Sequence, residues 1–272
     1  MAATNEKEMD FFEKVGYVFN LWDDSLKALR CNLLTFVVLY VLPGLLLSLF
    51  LFLSLVPFMS AVANNDFSPF FYMTLFASIV VTIVLYVILY PAITYTQMQS
   101  VQDKKVPVNE AIKKGLSYVP SFIMYGIIVF LALFVPMLIT FALILVLVGF
   151  LLLPVVFVWG VFITLLSIIA PYVIVNEKLG GLAALKRTYA LFKEHWQWFL
   201  AIGSLLLIIS ILSAIPFIGQ IISILLTVVY FCMPPIVYSR FMLAKSTTTA
   251  VPAVEKSVKT KAPKKVATAK KK

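Results

Sequence analysis

GLSYVPSFIMYGIIVFLALFVPMLITFALILVLVGFLLLPVVFVWGVFITLLSIIAPYVIVN, residues 115–176, runs for 62 positions without an Asp, Glu, Lys or Arg. A helix needs ~20 apolar residues to cross a hydrocarbon core ~30 Å thick. The stretch therefore holds two crossings, predicted over 121–147 and 151–174 with a break at Gly149. Three more charge-free stretches lie outward from it, at 31–65, 67–102 and 195–239, with lengths of 35, 36 and 45 residues. They predict spans over 33–57, 70–96, 197–215 and 219–243, with turns at Asn64-Asn65-Asp66 beside Pro69 and at Pro216-Phe217-Ile218-Gly219. Pro43, Pro91, Pro136, Pro154, Pro171 and Pro234-Pro235 lie within or near spans. Membrane helices tolerate such prolines as kinks when neighbouring groups satisfy the freed carbonyls.

Composition agrees. The 272 residues are 62% hydrophobic and 12% charged, against roughly 45–50% and about 25% in soluble domains. That excludes a soluble enzyme domain, a disordered chain and a nucleic-acid module on a water-soluble fold. Two cysteines, Cys31 and Cys232, exclude a disulfide scaffold and a Cys-based zinc site. The expected class is all-α: a polytopic membrane protein of six transmembrane helices in three hairpins, each preceded by an interfacial amphipathic helix.

Orientation follows from the cations. Lys7, Lys14, Lys27 and Arg30 precede the first span. Lys104, Lys105, Lys113 and Lys114 lie between the second and third, and Lys178, Lys186, Arg187 and Lys193 between the fourth and fifth. Arg240 stands in the last turn of the sixth and nine lysines follow it, which accounts for all 22 Lys and Arg. The other three loops hold only Asp66. By the positive-inside rule, both termini and the two basic loops are cytoplasmic. Glu6, Glu8 and Asp10 with no apolar run before Phe11 predict no cleavable leader. The organisation expected is a cytoplasmic segment over 1–32, a transmembrane domain over 33–243 and a disordered Lys-rich cytoplasmic tail over 244–272. From Lys245 that tail holds nine lysines and one glutamate, so most of the +10 net charge belongs to it. Such a tail either meets anionic headgroups or RNA through counterion release, or is solvated and fixes topology.

Three spans follow stretches with apolar residues at helical spacing. They are Phe12, Val15, Phe19, Trp22, Leu26 and Leu29; then Val108, Ile112, Gly115, Val119 and Phe122; then Leu182, Leu185, Tyr189, Phe192 and Trp196. Such helices lie in the headgroup plane with the apolar face down. Each contains a small–aliphatic–Lys core: Ser25-Leu26-Lys27, Ala111-Ile112-Lys113 and Ala184-Leu185-Lys186. A weak threefold repeat is therefore expected, each unit an interfacial helix and a hairpin. In the third unit, Glu177-Lys178-Leu179-Gly180-Gly181-Leu182-Ala183-Ala184-Leu185-Lys186-Arg187-Thr188 precedes Phe192-Lys193-Glu194-His195-Trp196-Gln197-Trp198-Phe199 and then Ile215-Pro216-Phe217-Ile218-Gly219-Gln220. Over roughly 154–243 this resembles the membrane domain attached to some bacterial glycerophosphoryl diester phosphodiesterases, and the related YciC-like membrane proteins of undefined activity. The resemblance implies a six-helix bacterial membrane domain. It does not imply phosphodiester hydrolysis, which in the fused proteins belongs to a separate soluble domain.

Chemistry is sparse. No nucleophile elbow, HExxH or phosphate-binding loop is present, and apart from Arg240 at the very end of the sixth, no Asp, Glu, Lys or Arg falls inside a predicted span, where ionisable groups mark ion pathways. Gly180-Gly181 reads as a turn or helix start. His195 is either a proton-sensitive group or an ordinary polar residue at the headgroup level, and the second is favoured. Trp22, Trp196 and Trp198 are expected as interfacial anchors, and Trp159, mid-span, as packing. Ser78, Thr82, Thr140, Thr164, Ser167, Ser204, Ser210, Ser213, Gln220, Ser223 and Thr227 would line a path for an uncharged solute or satisfy their own backbone; the second is favoured. Most tyrosines fall toward the basic side, against Tyr72 at the other face.

The function expected is non-enzymatic: a multi-pass protein of the bacterial inner membrane, a scaffold or lipid-associated domain acting at the cytoplasmic leaflet. The candidate contacts for anionic headgroups are Lys27, Arg30, Lys113, Lys114, Lys186, Arg187 and Lys193. The expected partners are membrane lipids and a soluble or membrane protein; nucleic acid, cofactor and metal are not expected. The alternative is a small permease or lipid-translocating subunit for an uncharged or amphipathic substrate.

Overall fold

The structure, a computed structural model, describes residues 9–45, 47, 48, 59, 69–144, 148–215 and 218–243. Among these there is no strand. α1 (Phe11–Phe19) starts in a capping box, in which Asp10 accepts from the Glu13 backbone N–H at 2.8 Å and Glu13 accepts from the Asp10 N–H at 3.1 Å. α2 (Trp22–Cys31) then meets α3 (Leu33–Leu45) at an angle of 85°. The long helices follow: α4 (Pro69–Val101), α5 (Val108–Ile144), α6 (Val148–Glu177) and α7 (Gly181–Ser213). α8 (Ile218–Val229) breaks at Tyr230–Cys232, and α9 (Met233–Val237) continues into a π-turn over Tyr238–Met242. Among the described residues five helices are long and apolar enough to cross a membrane, six if the bent α2–α3 pair counts as one span. The chain is an all-α polytopic membrane protein.

The spans predicted over 70–96, 121–147, 151–174, 197–215 and 219–243 fall on α4 to α9, and the one over 33–57 begins as α3. The turn at Asn64-Asn65-Asp66, the Pro216-Phe217 dipeptide and the tail lie outside the described residues. The amphipathic stretch before the third span runs on without a break into α5, which reaches about 55 Å at 1.5 Å per residue, well beyond the ~30 Å hydrocarbon core; the one before the fifth span is a helical segment parted from that span by a kink. α7 is bent within its length, with His195 at φ −127° and ψ 31°. In the first unit the amphipathic helix turns by 85° from the helix that follows, and Asn32 occupies that bend.

The buried residues gather at the end of the bundle that carries the cations. Val173, Ile174, Ala184, Ile202, Cys232, Met233 and Val237 are all fully enclosed, joined there by Val18 of α1 and Leu21 just before α2. At the opposite end, residues such as Phe76, Phe141, Leu151 and Phe157 are widely exposed, as apolar faces meeting lipid would be. The small–aliphatic–Lys cores show one burial pattern three times. Ser25, Ala111 and Ala184 are 0% exposed, Leu26, Ile112 and Leu185 half-buried, and Lys27, Lys113 and Lys186 exposed. Fourteen residues after each small residue, Leu39, Tyr125 and Trp198 are buried too.

That pattern shows which face of each amphipathic stretch meets the protein. In α1–α2 the buried line is Lys14, Val18, Leu21, Ser25 and Ala28, whereas Phe12 and Trp22 are exposed. In α7 it is Gly181, Ala184, Thr188, Leu191 and His195, with Leu182, Tyr189 and Trp196 exposed. Small residues face the protein because they let backbones approach; the large apolar ones are left on the outer side, where lipid tolerates them.

Proline positions were legible, and for three of them the structure supplies a side-chain donor to the carbonyl four residues back. Pro136 has no N–H for the Ala132 carbonyl, which instead accepts from Trp159 Nε1 at 2.7 Å. Pro171 frees the Ser167 carbonyl, which accepts from the Tyr125 hydroxyl at 3.3 Å. Pro235 frees the Phe231 carbonyl, which accepts from Gln97 Nε2 at 2.9 Å. Trp159 is thus a donor rather than packing alone. Replacing it with Phe is expected to destabilise the protein by about 1–2 kcal/mol, the cost of one unsatisfied carbonyl. In a Pro136→Ala background, which restores the backbone N–H, the same change is expected to cost less than half as much. Unfolding of the four variants in micelles measures the coupling; equal costs in both backgrounds would refute the pairing.

Candidate functional site at the basic end

The site is built on the meeting of α1, α2, the ends of α4 and α6, the middle of α7 and the 230–243 segment. Asn32 ties the α2–α3 bend to the loop after α4. Its amide donates to Ser100 Oγ and to the Lys104 carbonyl, each at 2.8 Å, and its Oδ1 accepts from the Val106 N–H at 2.6 Å. Thr35 adds a bond to the Val106 carbonyl at 2.7 Å. Gln97 joins three elements, since it also accepts from the Tyr172 hydroxyl at 3.2 Å. Ser25 Oγ accepts from the Cys232 N–H at 3.1 Å, and the Tyr230 hydroxyl donates to the Phe19 carbonyl at 2.8 Å. The break between α8 and α9 is therefore held by side chains of α2 and α4, with a second clasp on the last residue of α1.

The seven expected headgroup contacts separate into two kinds. Lys27, Arg30, Lys113, Lys114, Lys186 and Lys193 are exposed around the rim. Lys27 lies 3.6 Å from Asp103, with both side chains largely in solvent, a pair worth little. The Lys193 ammonium sits 4.5 Å from the centre of the Tyr189 ring. Arg187 is different: its guanidinium lies 3.3 Å from the Glu177 carboxylate, which also accepts from the Tyr238 hydroxyl at 3.1 Å. That ties α7 to the end of α6 and to the π-turn, so Arg187 belongs to the packing rather than to the rim. Arg240 likewise pairs with Asp24 at 2.7 Å and donates to the Tyr17 hydroxyl at 3.2 Å.

Of the expected anchors, Trp22 and Trp196 are about half exposed, as headgroup-level residues would be. Trp198 is not an anchor. It is 1% exposed, stacked on Phe241 at 4.1 Å and met edge-on by Tyr17 at 5.8 Å. A step of two along α7 separates it from Trp196 and turns it to the opposite, protein-facing side. His195 is buried at the bend of α7, its Nε2 3.9 Å from the Glu194 carboxylate.

Lys14 carries no motif and was not among the candidates. It is 8% exposed, donates to Gln197 Oε1 and lies 5.9 Å from the Trp198 ring centre. Asn32 and Gln97 were also missed, because their partners are far away in sequence. The only prior signal was the placement of each near a predicted span boundary.

Of the hydroxyls that could line a path, Thr82, Thr164, Ser167, Ser204, Ser210, Ser213, Ser223 and Thr227 each donate to a carbonyl three or four residues back on their own helix. Among the described residues no group of three His, Cys, Asp or Glu is placed to hold a metal ion. Cys31 and Cys232 are free thiols. Comparison with known families, with curated proteins and with solved structures finds no match.

Proposed function

We propose that this chain is a non-enzymatic multi-pass domain of a bacterial inner membrane, and that it acts as a lipid-associated scaffold at the cytoplasmic leaflet. In this reading the basic end faces the cytoplasm, as the distribution of Lys and Arg requires under the positive-inside rule. The resemblance of residues 154–243 to phosphodiesterase-associated and YciC-like membrane domains supports the bacterial assignment. The observation that carries the proposal is the rim itself: six exposed Lys and Arg side chains surround one well-packed end of the bundle. Each gains about 1 kcal/mol near an anionic surface. The permease alternative is weaker, because the hydroxyls that would line a polar path are already bonded to their own helices.

The test is lipid enrichment in mixed discs of phosphatidylcholine and phosphatidylglycerol. We expect the full chain to gather phosphatidylglycerol around it. Replacing Lys27, Lys113, Lys114, Lys186 and Lys193 together by Gln should lower that enrichment at least tenfold, since each contributes about 1 kcal/mol. Removing residues 245–272 measures the tail's share. Equal enrichment with and without both changes would reject the proposal.

A further inference from the structure

An apolar groove of about 730 Å³ runs between α6 and α7, within the ~300–1,000 Å³ range of small-molecule sites. Phe157 and Thr164 lie on one wall, Leu200 and Leu207 on the other, and Phe11 of α1 closes its basic end. From Leu200 to Ser210 the wall is ten residues long, or about 15 Å of helix. That is half of a ~30 Å hydrocarbon core, the depth of one leaflet. Both helices are membrane spans by length and composition, so the open side of the groove meets acyl chains rather than water.

Two features define what fits. First, the groove offers an apolar chain no competing polar group: the hydroxyls of Thr164, Ser204 and Ser210 are each committed to a carbonyl of their own helix at 2.8–2.9 Å. Gly160 leaves open space on the wall, with no atom within 4 Å of where its Cβ would stand. Second, a charge sits just beyond the closed end. Lys14 follows Phe11 by one helical turn on α1, and its partner Gln197 precedes Leu200 by one turn on α7. Residues three apart on a helix are neighbours, so the Lys14–Gln197 bond lies about one helical turn beyond the basic end of the groove, outside its lining. The ammonium is buried, and among the described residues it has no carboxylate partner. A buried cation without a counter-charge is costly, and a phosphate there would supply one.

We propose that the groove holds one acyl chain of an anionic diacyl phospholipid from the leaflet at the basic end, with Lys14 meeting its phosphate. The inference rests on the lipid-associated reading above and gives it a defined seat, distinct from the diffuse attraction of the rim. The full chain, assembled in discs of equal phosphatidylcholine and phosphatidylglycerol and then stripped with detergent, is weighed by native mass spectrometry. The wild-type protein should keep one phosphatidylglycerol per chain. Gly160→Leu, which grows into open space, should lower retention of either lipid about tenfold. Lys14→Gln should keep a bound lipid but reduce the preference for phosphatidylglycerol about fivefold, as loss of ~1 kcal/mol implies. Helix content and melting are followed for both, and because Gly160→Leu relieves no packed contact it remains informative if Lys14→Gln unfolds. Unchanged retention in a folded Gly160→Leu protein overturns the groove, and so does a second copy of the chain in place of lipid. In that case the rim proposal still stands if the five-lysine variant loses its enrichment; it falls separately if that variant does not.

Discussion

Replacing Asn32 by Ala is expected to destabilise the protein by about 3–5 kcal/mol, the largest effect of any single polar side chain here. Three hydrogen bonds disappear together, and their partners do not regain water. The Val106 N–H is buried and the Lys104 carbonyl part-buried, and each unsatisfied group costs about 1–3 kcal/mol; Ser100 Oγ loses only the Asn32 donor, since it still donates to the Thr96 carbonyl at 2.8 Å. The consequence is local as well as global. Asn32 holds the 85° bend between α2 and α3, so its loss frees the loop carrying Lys104 and Lys105. Trypsin should then cleave there much faster than in the wild type. Asn32→Asp keeps an acceptor for the Val106 N–H but loses both donors, and should fall between the two. Melting in micelles with timed trypsin digestion checks both parts, and an Asn32→Ala protein within 1 kcal/mol of wild type would refute the clamp.

The second large effect is steric. Gly180 and Gly181 look alike in sequence, yet only one is required. A Cβ on Gly181 would stand 2.4 Å from the Tyr125 nitrogen and 2.6 Å from the Ser121 carbonyl oxygen. Both are backbone atoms of α5, so no side chain can swing aside and the helices must separate. Gly180, the N-cap of α7, has nothing within 4 Å of its Cβ position and an ordinary φ of −67°. Gly181→Ala should therefore cost about 3 kcal/mol, the upper end of overpacking penalties, and Gly180→Ala under about 1 kcal/mol. Equal melting temperatures for the two variants would show that α7 does not depend on this approach. Gly115, at a different position of the second unit, makes a similarly close approach, since its Cβ would fall 2.6 Å from Ala92 Cα.

These two cases show why the spans were legible and the contacts were not. A run such as residues 115–176 has to leave water, and a backbone in hydrocarbon has to be helical, so charge-free length is enough to place α4 to α8. The orientation of a helix about its own axis is another matter. In water the apolar face is the buried face, but in a bilayer apolar side chains are at home on either side. The stripe through Leu182, Tyr189 and Trp196 therefore faced outward, and the line through Gly181, Ala184 and Thr188 faced in. The same ambiguity moved Trp198 from the headgroup level to the core. The small–aliphatic–Lys core was the more informative signal, because small residues mark close approach in any solvent.

The sequence by itself determined that the chain is helical and carries several stretches able to cross a membrane, with its cations confined to alternate loops and the two ends; length, apolarity and charge placement are local properties that water and lipid sort without reference to partners. Its prolines likewise announced freed carbonyls. Only the tertiary structure decided which side chains satisfy them, with Trp159 reaching back 27 residues to Ala132 and Gln97 reaching 134 residues forward to Phe231. Only it could tie Arg187 to Glu177 and bury Lys14 against Gln197. Hydrogen bonds and buried charges depend on distances between segments remote in the chain, and those distances exist only once the helices have packed.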